Sequence, residues 1–540
     1  MPKVGMVSLG CPKNLVDSEV MLGILAGHGY ELTPRAEEAE ILIVNTCGFI
    51  GPASQESIDT ILELAEHKKS GNARRLVVAG CLVERYRENI LREVPEVDFV
   101  IGTNEVERVL DACRELPDGD CRLPIEESLE TQNSKLETPK SKLVPARELQ
   151  KGAFSSFDLR ASSPQPAIPY LYHEFTPRVL ATPSYSAYVK IAEGCDHPCS
   201  FCVIPQMRGH FRSRPLESVV REVENLARRG VREVTLIGQD TTSYGRDLGL
   251  TDALPTLLRQ LGQSGGLERI PGLVWLRFLY CYPNQVSEAL IEAVAETPKV
   301  AKYFDIPLQH ASAAVLKLMK RGSSGRHFLR MLERIRAVVP DVALRTSMIV
   351  GFPGETEDDF KALMDFVSAA KFDHLGVFLY SNEESSGSYG LPNQVPARVA
   401  QRRKRQLLAL QRKVSRRKLR VRIGESLPVL VEGRSEETDL LFKGRAEWQA
   451  PEIDGVVLIN DFEGTEPVPG EFRWATVTDA SDYDLVVRLE ARAFADRPLA
   501  AQAIDRTGIE NSGGVTAGRA PASGISSRLV NIQLTAAVGR

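Results

Sequence analysis

Three cysteines in one short stretch, Cys195, Cys199 and Cys202, have the spacing of metal ligands. They lie in GCDHPCSFCVIPQMRG, directly after the strand-like run AYVKIAEG. Each iron of a cubane iron–sulfur cluster normally takes one cysteine thiolate. A protein that supplies three thiolates leaves one iron open, and an open metal position is where chemistry can occur. The trio therefore predicts a cluster with a free coordination site.

A structural zinc site is the alternative for these cysteines. The fourth ligand would then be His197 or His210, which flank the trio. Zinc sites in proteins are usually built from paired short spacings, and the sequence contains no second CxxC. The spacing alone favours the cluster but leaves zinc open.

A second trio of cysteines is spread over the first hundred residues. Cys11 follows KVGMVSLG, Cys47 follows ILIVNT and Cys81 follows RLVVAG. The carboxyl ends of parallel strands share one edge of a sheet, and ligands bind in the crevice there. The alternative is three buried core cysteines, since free cysteine is often buried. Three successive placements at strand ends favour a second three-thiolate site.

Structural roles are predicted for the other three cysteines. Cys113 lies in the helix-like stretch EVERVLDACREL, Cys121 begins a polar segment, and Cys281 ends the strand-like run LVWLRFLY.

The elements that would position both trios are α/β in pattern. Short apolar strands and amphipathic helices alternate in the first region, which predicts a Rossmann-like parallel sheet. Six further strand–helix units from residue 186 onward fit a partial (β/α) barrel, whose strands carry the active site at their carboxyl ends. A Gly-punctuated third region predicts a small antiparallel β-barrel. The predicted domains are 1–118, a flexible linker or insertion at 119–183, 184–417, 418–490 and a disordered tail at 491–540.

Composition excludes several classes of protein. The 540 residues are 43% hydrophobic and 26% charged with a net charge of -4, which argues against a globally cationic nucleic-acid binder. No apolar run approaches the roughly 20 residues that span a bilayer, and the start lacks a signal peptide's apolar stretch. Nine cysteines are too few for a disulfide scaffold. A cytoplasmic protein without a membrane partner is expected.

The CxxxCxxC motif after the first barrel strand resembles the radical S-adenosylmethionine superfamily. The resemblance implies a [4Fe-4S] cluster whose open iron binds S-adenosylmethionine and cleaves it, after one-electron reduction, to a deoxyadenosyl radical. It also places GFPGETE near that molecule, with Gly351, Gly354 and Glu355 as candidate binding residues. An ordinary strand-to-helix turn capped by Thr356 explains the same residues.

Two three-cysteine clusters in one chain resemble the methylthiotransferase family. The stretches that carry the resemblance are SLGCPKNLVDSE, VNTCGFI, VAGCL, EGCDHPCSFCVIPQMRG, YFDIPLQHAS, GFPGETEDDF and APEIDG. It implies an N-terminal cluster domain, a radical domain and a C-terminal TRAM domain. SLGCPKN and DIPLQHAS are similar to the branch that methylthiolates an aspartate β-carbon in the twelfth protein of the small ribosomal subunit. The alternative is a tRNA adenosine methylthiotransferase.

The resemblance also implies the course of the reaction and its partners. One S-adenosylmethionine methylates sulfur held at the cluster on Cys11, Cys47 and Cys81, and another yields the radical that attacks the substrate. A flavodoxin or ferredoxin would supply electrons. Gln309, His310 and Arg208 are candidate substrate contacts, although each also fits a structural role. The basic stretch 396–422 predicts a cationic helix, which either contacts ribosomal RNA or is simply solvated.

Overall fold

The computed structural model describes residues 2–114, 170–262 and 270–494. They form two compact units, each described here by itself. Residues 2–114, 170–172 and 176–179 belong to the first unit, and all other described residues belong to the second. Most of the predicted linker and tail, and Cys121 with them, lie outside the described residues.

The first unit is built on a parallel sheet of five strands in the order β2-β1-β3-β4-β5, with helices in the connections. β3, for example, is buried at every position, as its unbroken apolar run ILIV requires between two helical layers. The predicted Rossmann-like domain is thereby confirmed. The strands are β1 Lys3–Ser8, β2 Glu31–Leu32, β3 Ile41–Thr46, β4 Arg75–Gly80 and β5 Phe99–Ile101, and the helices are α1 Pro12–Gly27, α2 Gly51–Ser70, α3 Cys81–Glu93 and α4 Val109–Cys113.

A short piece of the predicted linker packs against this sheet domain. Arg178 donates from its Nε to the Glu19 carboxylate of α1 at 2.8 Å. The Val179 amide donates to the Glu19 carbonyl at 3.0 Å. Both charged side chains are buried, so each compensates the other's loss of water.

The second unit begins with six parallel strands, as the sequence predicts. Three form a sheet in the order β10-β9-β6 and three in the order β11-β12-β13, and a parallel bridge between Leu276 and Val300 joins the two sheets into a partial barrel. A short antiparallel pair, β7 and β8, lies beside the first strand. The strands are β6 Ser186–Lys190, β7 Ala192–Glu193, β8 Arg212–Ser213, β9 Glu233–Ile237, β10 Trp275–Phe278, β11 Tyr303–Asp305, β12 Ala343–Val350 and β13 His374–Leu379.

Amphipathic helices cover the outside of this barrel. In the helix Leu216–Arg228, Val219, Val223 and Leu226 recur at helical spacing and are all buried in the main core cluster. The helices are α5 Ile204–Arg208, α6 Leu216–Arg228, α7 Ala253–Gly262, α8 Glu288–Glu296, α9 Ala313–Leu318, α10 Gly325–Val338, α11 Glu357–Ala370 and α12 Ala397–Arg420. Across the parts of the chain that the structure describes, no helix combines the length and the apolarity needed to cross a bilayer.

A closed barrel of five strands follows α12, in the order β14-β15-β16-β18-β17. The sequence predicts an antiparallel barrel, but β16 and β18 pair in parallel. An odd number of strands cannot alternate in direction all the way round a closed barrel, so one pair must be parallel. The strands are β14 Ser426–Arg434, β15 Phe442–Ala446, β16 Val457–Phe462, β17 Phe472–Ala480 and β18 Leu485–Ala493.

The small barrel contacts the amino ends of the parallel strands. Arg445 of β15 donates from Nη1 to Glu233, the first residue of β9, at 3.1 Å and from Nε to Glu432 at 2.7 Å. Tyr303, the first residue of β11, donates its hydroxyl to Asp454 at 2.7 Å. The carboxyl ends of the parallel strands therefore stay free of the small barrel and are available for a site.

Replacement of Arg445 by Met should strongly destabilise the second unit. Burial favours the neutral form of Glu233, but Arg445 and then Arg277 outweigh it and lower the pKa of that carboxyl. Without Arg445 the buried carboxylates lose their main partner, which costs about 3–5 kcal/mol. Thermal and urea unfolding of the full chain measure the loss. Arg334→Met, at an exposed ion pair with Glu288, should change stability by less than about 1 kcal/mol; an equal effect of both variants would contradict the argument.

Candidate functional site

The first cysteine trio lies at the carboxyl edge of the five-stranded sheet. Cys11 is the N-cap of α1, and Cys81 is the first residue of α3. Cys47 directly follows β3, whose Thr46 pairs with Gly80 of β4, so Cys47 and Cys81 leave the sheet at the same level. Helix amino termini stabilise negative charge. Two of the three cysteines thus lie at helix amino termini, a position that favours the thiolate form of a ligand.

Close packing brings the three loops together. Gly10 has a φ of 89°, and a Cβ placed on it would lie 2.7 Å from the Cys47 Cβ, so only glycine fits beside that cysteine. Asn14 joins the loops: its Nδ2 donates to the carbonyls of Leu9 and Thr46 at 3.1 and 2.8 Å, and its Oδ1 accepts from the Cys81 thiol at 3.5 Å. The predicted convergence of the three strand ends is therefore present in the structure.

Cys47 is held on its other side by α2. Ser57 accepts from the Cys47 amide at 3.0 Å and donates to the Cys47 carbonyl at 2.9 Å. A single hydroxyl thus satisfies both backbone groups of the residue. The backbone that carries the sulfur is fixed while the side chain stays half-buried.

The second trio lies on the loop after β6 and β7, at the carboxyl edge of the partial barrel. The Cys195 amide donates to the Gly209 carbonyl and the Cys202 amide to the Cys199 carbonyl, both at 3.1 Å. Between them, Ser200 donates from its amide to the Met319 carbonyl at 3.1 Å and from its hydroxyl to the Leu318 carbonyl at 2.8 Å. The loop is therefore anchored through its backbone, and all three cysteine residues are half-buried.

The thiols of this trio lie close enough to affect one another. Burial raises the pKa of Cys195 to about 11 and that of Cys202 to about 12, and the charge of Cys199 adds to both shifts. Cys195 and Cys202, whose thiols resist ionisation, need a cation nearby to become thiolates. Iron coordination supplies that charge, because a metal-bound thiol is deprotonated. The donor set therefore fits an iron–sulfur cluster.

The structure does not favour the zinc alternative. In the described ranges, no group of three or more His, Cys, Asp or Glu side chains closes to the geometry of a single metal ion. His197 donates from Nε2 to the Asp240 carboxylate at 2.6 Å, and His210 is 97% exposed beside Asp196. Both histidines thus have carboxylate partners of their own, whereas a cubane needs only the three thiolates, one at each of three corners.

The GFPGETE turn follows β12 and is stabilised by its own residues. Gly351 and Gly354 have φ values of 81° and 85°, and Thr356 caps α11 in a capping box with Asp359. The buried carboxylate of Glu355 accepts from the amides of Gly351 and Phe352. The Glu355 carboxylate thus supports the turn through one oxygen. A ligand would therefore meet the glycine backbone rather than this side chain. Binding of S-adenosylmethionine at the turn stays a prediction.

The candidate substrate residues differ in accessibility. Gln309 is half-buried with a φ of 74°, and its backbone pairs with β12 through Ser347 and Ile349. His310 is fully buried: the Ser312 amide donates to its Nδ1 at 3.0 Å, and its Nε2 lies 3.8 Å from a Glu355 oxygen. These contacts indicate that His310 supports the GFPGETE turn. The contact of Gln309 and His310 with substrate stays a prediction.

Arg208 is almost fully buried below the cysteine loop. Its Nη1 donates to Glu193 at 3.0 Å, and Lys190 donates to the same carboxylate at 2.5 Å. Burial alone would raise the pKa of Glu193, but Arg208 and Lys190 outweigh it and hold that pKa well below the usual range. Arg208 thus forms part of a buried charged group beside Cys195, and its contact with substrate stays a prediction.

Some residues around the two trios were not predicted from the sequence, namely Ser57, Tyr282 and Arg321. Ser57 holds Cys47 in the first trio, as described above. At the second, the His197 ring stacks on Tyr282 with 3.6 Å between centroids, and Arg321 donates to the Cys199 sulfur at 3.6 Å. Tyr282 and Arg321 are far from the cysteine motif in sequence, so only the fold shows that they meet it.

Three protein-family models match the chain, one for each of its three domains. The Uncharacterized protein family UPF0004 matches residues 3–102, the Radical SAM superfamily matches residues 189–367, and the TRAM domain matches residues 423–489. The fold and the two cysteine sites therefore define a radical S-adenosylmethionine enzyme, which uses S-adenosylmethionine and [4Fe-4S] clusters.

Curated relatives identify the family more closely. Ribosomal protein uS12 methylthiotransferase RimO from Solibacter usitatus is 54% identical over 489 residues, which cover 91% of this chain and 95% of that protein. The protein of the same name from Koribacter versatilis is 54% identical over 493 residues, covering 90% and 96%. The chain belongs to the RimO family of methylthiotransferases, and the tRNA-modifying alternative is not favoured.

Among solved structures, the radical S-adenosylmethionine methyltransferase TsrM from Kitasatospora setae is similar to this chain. The match has a TM-score of 0.47 and 15% identity, and it covers 72% of this chain and 74% of that one.

Proposed function

We propose that this chain adds a methylthio group to the β-carbon of an aspartate in ribosomal protein uS12. The observation that carries the proposal is 54% identity to a uS12 methylthiotransferase over 95% of that protein's length. The two cysteine trios, each at the carboxyl edge of its own sheet, support the chemistry. When bound, the clusters and S-adenosylmethionine supply a carbon-centred radical at one trio and the sulfur to be transferred at the other.

The chain's own residues show how the cysteine ligands are held in place for a radical reaction. A C–H bond beside a carboxylate is not ionised at useful rates by a side-chain base near neutral pH, so a radical step is needed. Cys195, Cys199 and Cys202 lie on a loop whose amides are bonded to Gly209 and Met319. The segment after β13 adds to this support, because the Ser388 amide donates to the Ser200 carbonyl at 2.7 Å. A loop held in this way keeps its ligands in place during turnover.

The substrate assignment is tested by mass spectrometry. A strain that lacks this chain should contain uS12 without the methylthio group, while its tRNA nucleosides stay unchanged. Reintroduction of the wild-type chain should restore the modification of the protein. Loss of a methylthio group from tRNA with intact modification of uS12 would replace the proposal by the tRNA alternative.

The same proposal includes the cytoplasm as the place of action and a flavodoxin or ferredoxin as electron donor. The substrate is a ribosomal protein, so the enzyme must work where ribosomal subunits are assembled. A small electron carrier fits because the radical step consumes one electron. Reconstitution with purified flavodoxin and its reductase, in place of dithionite, tests the donor.

We further propose that α12 contacts ribosomal RNA. The helix spans Ala397–Arg420 as predicted, and its inner face is buried through Leu407, Gln411, Ser415 and Leu419. On the outside, Lys413, Arg417 and Arg420 recur at helical spacing and are exposed. They line a surface cavity of about 510 Å³, and no carboxylate among the described residues forms an ion pair with them. Cations without partners along one helix face suit a phosphate backbone.

Replacement of Lys413, Arg417 and Arg420 by Ala should weaken binding to the small ribosomal subunit and flatten its salt dependence. Each lost phosphate contact should reduce the slope of log affinity against log salt by about 0.7–0.9. Filter binding at several salt concentrations measures this. The matched control removes Arg228, Arg334 and Arg488, which are exposed elsewhere on the same unit. If the affinity of the wild-type chain for the subunit did not change with salt concentration, the RNA contact would be contradicted.

A further inference from the structure

Arg321 lies directly against the second cysteine trio although it is distant in sequence. It follows α9, and its Nη1 donates to the Cys199 sulfur at 3.6 Å. Its Nη2 donates to the Pro307 carbonyl. The side chain is nearly buried, with 7% of the residue exposed. The guanidinium therefore brings a fixed positive charge to one of the predicted cluster ligands.

This charge lacks a carboxylate partner. Within residues 2–114, 170–262 and 270–494, no Asp or Glu forms an ion pair with Arg321, and its Nε has no hydrogen-bond partner. Other buried arginines of the same unit differ: Arg277 pairs with Glu233, and Arg345 pairs with Asp305. A buried cation without a counter-charge is costly, so Arg321 requires an anion other than the carboxylates of the described residues.

The thiolates at the trio would be that anion. Three cysteine thiolates outweigh the positive charge of an oxidised cubane core, so the assembly is negative, and reduction adds one further negative charge. Arg321 lies in hydrogen-bond contact with one of the three sulfurs, that of Cys199, and would favour the reduced state.

We propose that Arg321 is a positioning residue that raises the reduction potential of the cluster held by Cys195, Cys199 and Cys202. The proposal rests on ligation by this trio, but it does not depend on which substrate is methylthiolated. Hydrogen bonds to cluster sulfurs and nearby positive charge stabilise the more negative, reduced state. The electron that precedes cleavage of S-adenosylmethionine is therefore accepted more readily from its donor.

A stack of rings keeps the guanidinium in place. Its carbon lies 4.6 Å from the centroid of the Tyr282 ring, and the His197 ring stacks on Tyr282 with an interplanar angle of 8°. His197 is held in turn by Asp240, which also accepts from the Ser243 hydroxyl at 2.6 Å. Arg321 therefore has one orientation toward Cys199, as a fixed effect on the potential requires.

The test is an anaerobic redox titration followed by electron paramagnetic resonance. The full chain carries Cys11→Ala, Cys47→Ala and Cys81→Ala, so that only the second cluster gives a signal. In this background Arg321→Gln should lower the midpoint potential of the cluster. The equilibrium constant for its reduction should fall at least about tenfold, which corresponds to a shift of about 59 mV for a one-electron couple. Arg321→Lys keeps the charge and should shift it less. Arg334→Gln, a remote exposed arginine, should leave it unchanged.

Each outcome decides the proposal. A lower potential in Arg321→Gln than in Arg321→Lys supports it. Loss of the cluster from Arg321→Gln alone overturns it, because the role of Arg321 would then be to retain the cluster rather than to set its potential. An unchanged or higher potential in Arg321→Gln overturns it. Loss of the cluster from both variants overturns it as well, since packing and not charge would then be the role of Arg321.

Discussion

Replacement of Cys202 by Ala should lower the cleavage of S-adenosylmethionine by more than about 100-fold. Loss of a residue that merely supports a metal ligand already costs about 10–100-fold, and Cys202 is itself a predicted ligand. With two thiolates in place of three, the loop no longer defines a cluster with a single open iron. The other two cysteines cannot compensate, because the backbone of the loop is anchored at Cys195 and Ser200.

The measurement is the yield of 5′-deoxyadenosine from anaerobically reconstituted protein reduced with dithionite. Cys281→Ala is the matched control, because Cys281 is a buried cysteine of the same unit outside the trio. It should retain cleavage. Cys202→Ala that cleaves S-adenosylmethionine at the wild-type rate would exclude this trio as the site of radical formation.

Replacement of Cys47 by Ala should separate the two halves of the reaction. Cleavage of S-adenosylmethionine should continue, since the second trio is intact, whereas methylthiolation of uS12 should fall below detection. The physical reason is that Cys47 sits between the Gly10 loop and Ser57, where no other described residue can supply a sulfur in its position. The iron content should fall by about four per chain, the content of one cubane.

Liquid chromatography with mass spectrometry measures both products in one assay, the deoxyadenosine and the modified peptide of uS12. Cys113→Ala serves as control: burial raises the pKa of this thiol to about 12, and it lies at the end of α4, away from the sheet edge with the trio. It should keep both activities. Normal methylthiolation by Cys47→Ala would break the assignment of two clusters.

Much of the fold could be predicted because its signals are local. β1, β3 and β4 are unbroken apolar runs, and the six barrel strands recur between helices of regular spacing. β15 was missed, since its residues Phe442–Ala446 include Gly444 and two charged side chains and form no apolar run. Arg445 is stabilised inside the fold by its contact with the buried Glu233, which lies far earlier in the chain. No local pattern carries that information.

Gln449, in the stretch EWQAPEIDG, has a structural place that its local sequence does not show. Its Oε1 accepts from the Ala446 amide at 2.9 Å, and the residue is fully buried in the turn after β15. Gln449 therefore supports a turn of the small barrel and lies outside the cysteine sites.

The amino-acid sequence by itself determined which atoms could do the chemistry: six sulfurs in two groups of three, each group at the end of apolar strands. Such information is local, because strand ends and short spacings are written in consecutive residues. Only the tertiary structure decided what surrounds those sulfurs. Asn14 meets Cys81, and Arg321 meets Cys199, across 67 and 122 residues of chain. Contacts at that separation arise from the packing of whole elements, and that packing sets the charge and orientation of the ligands.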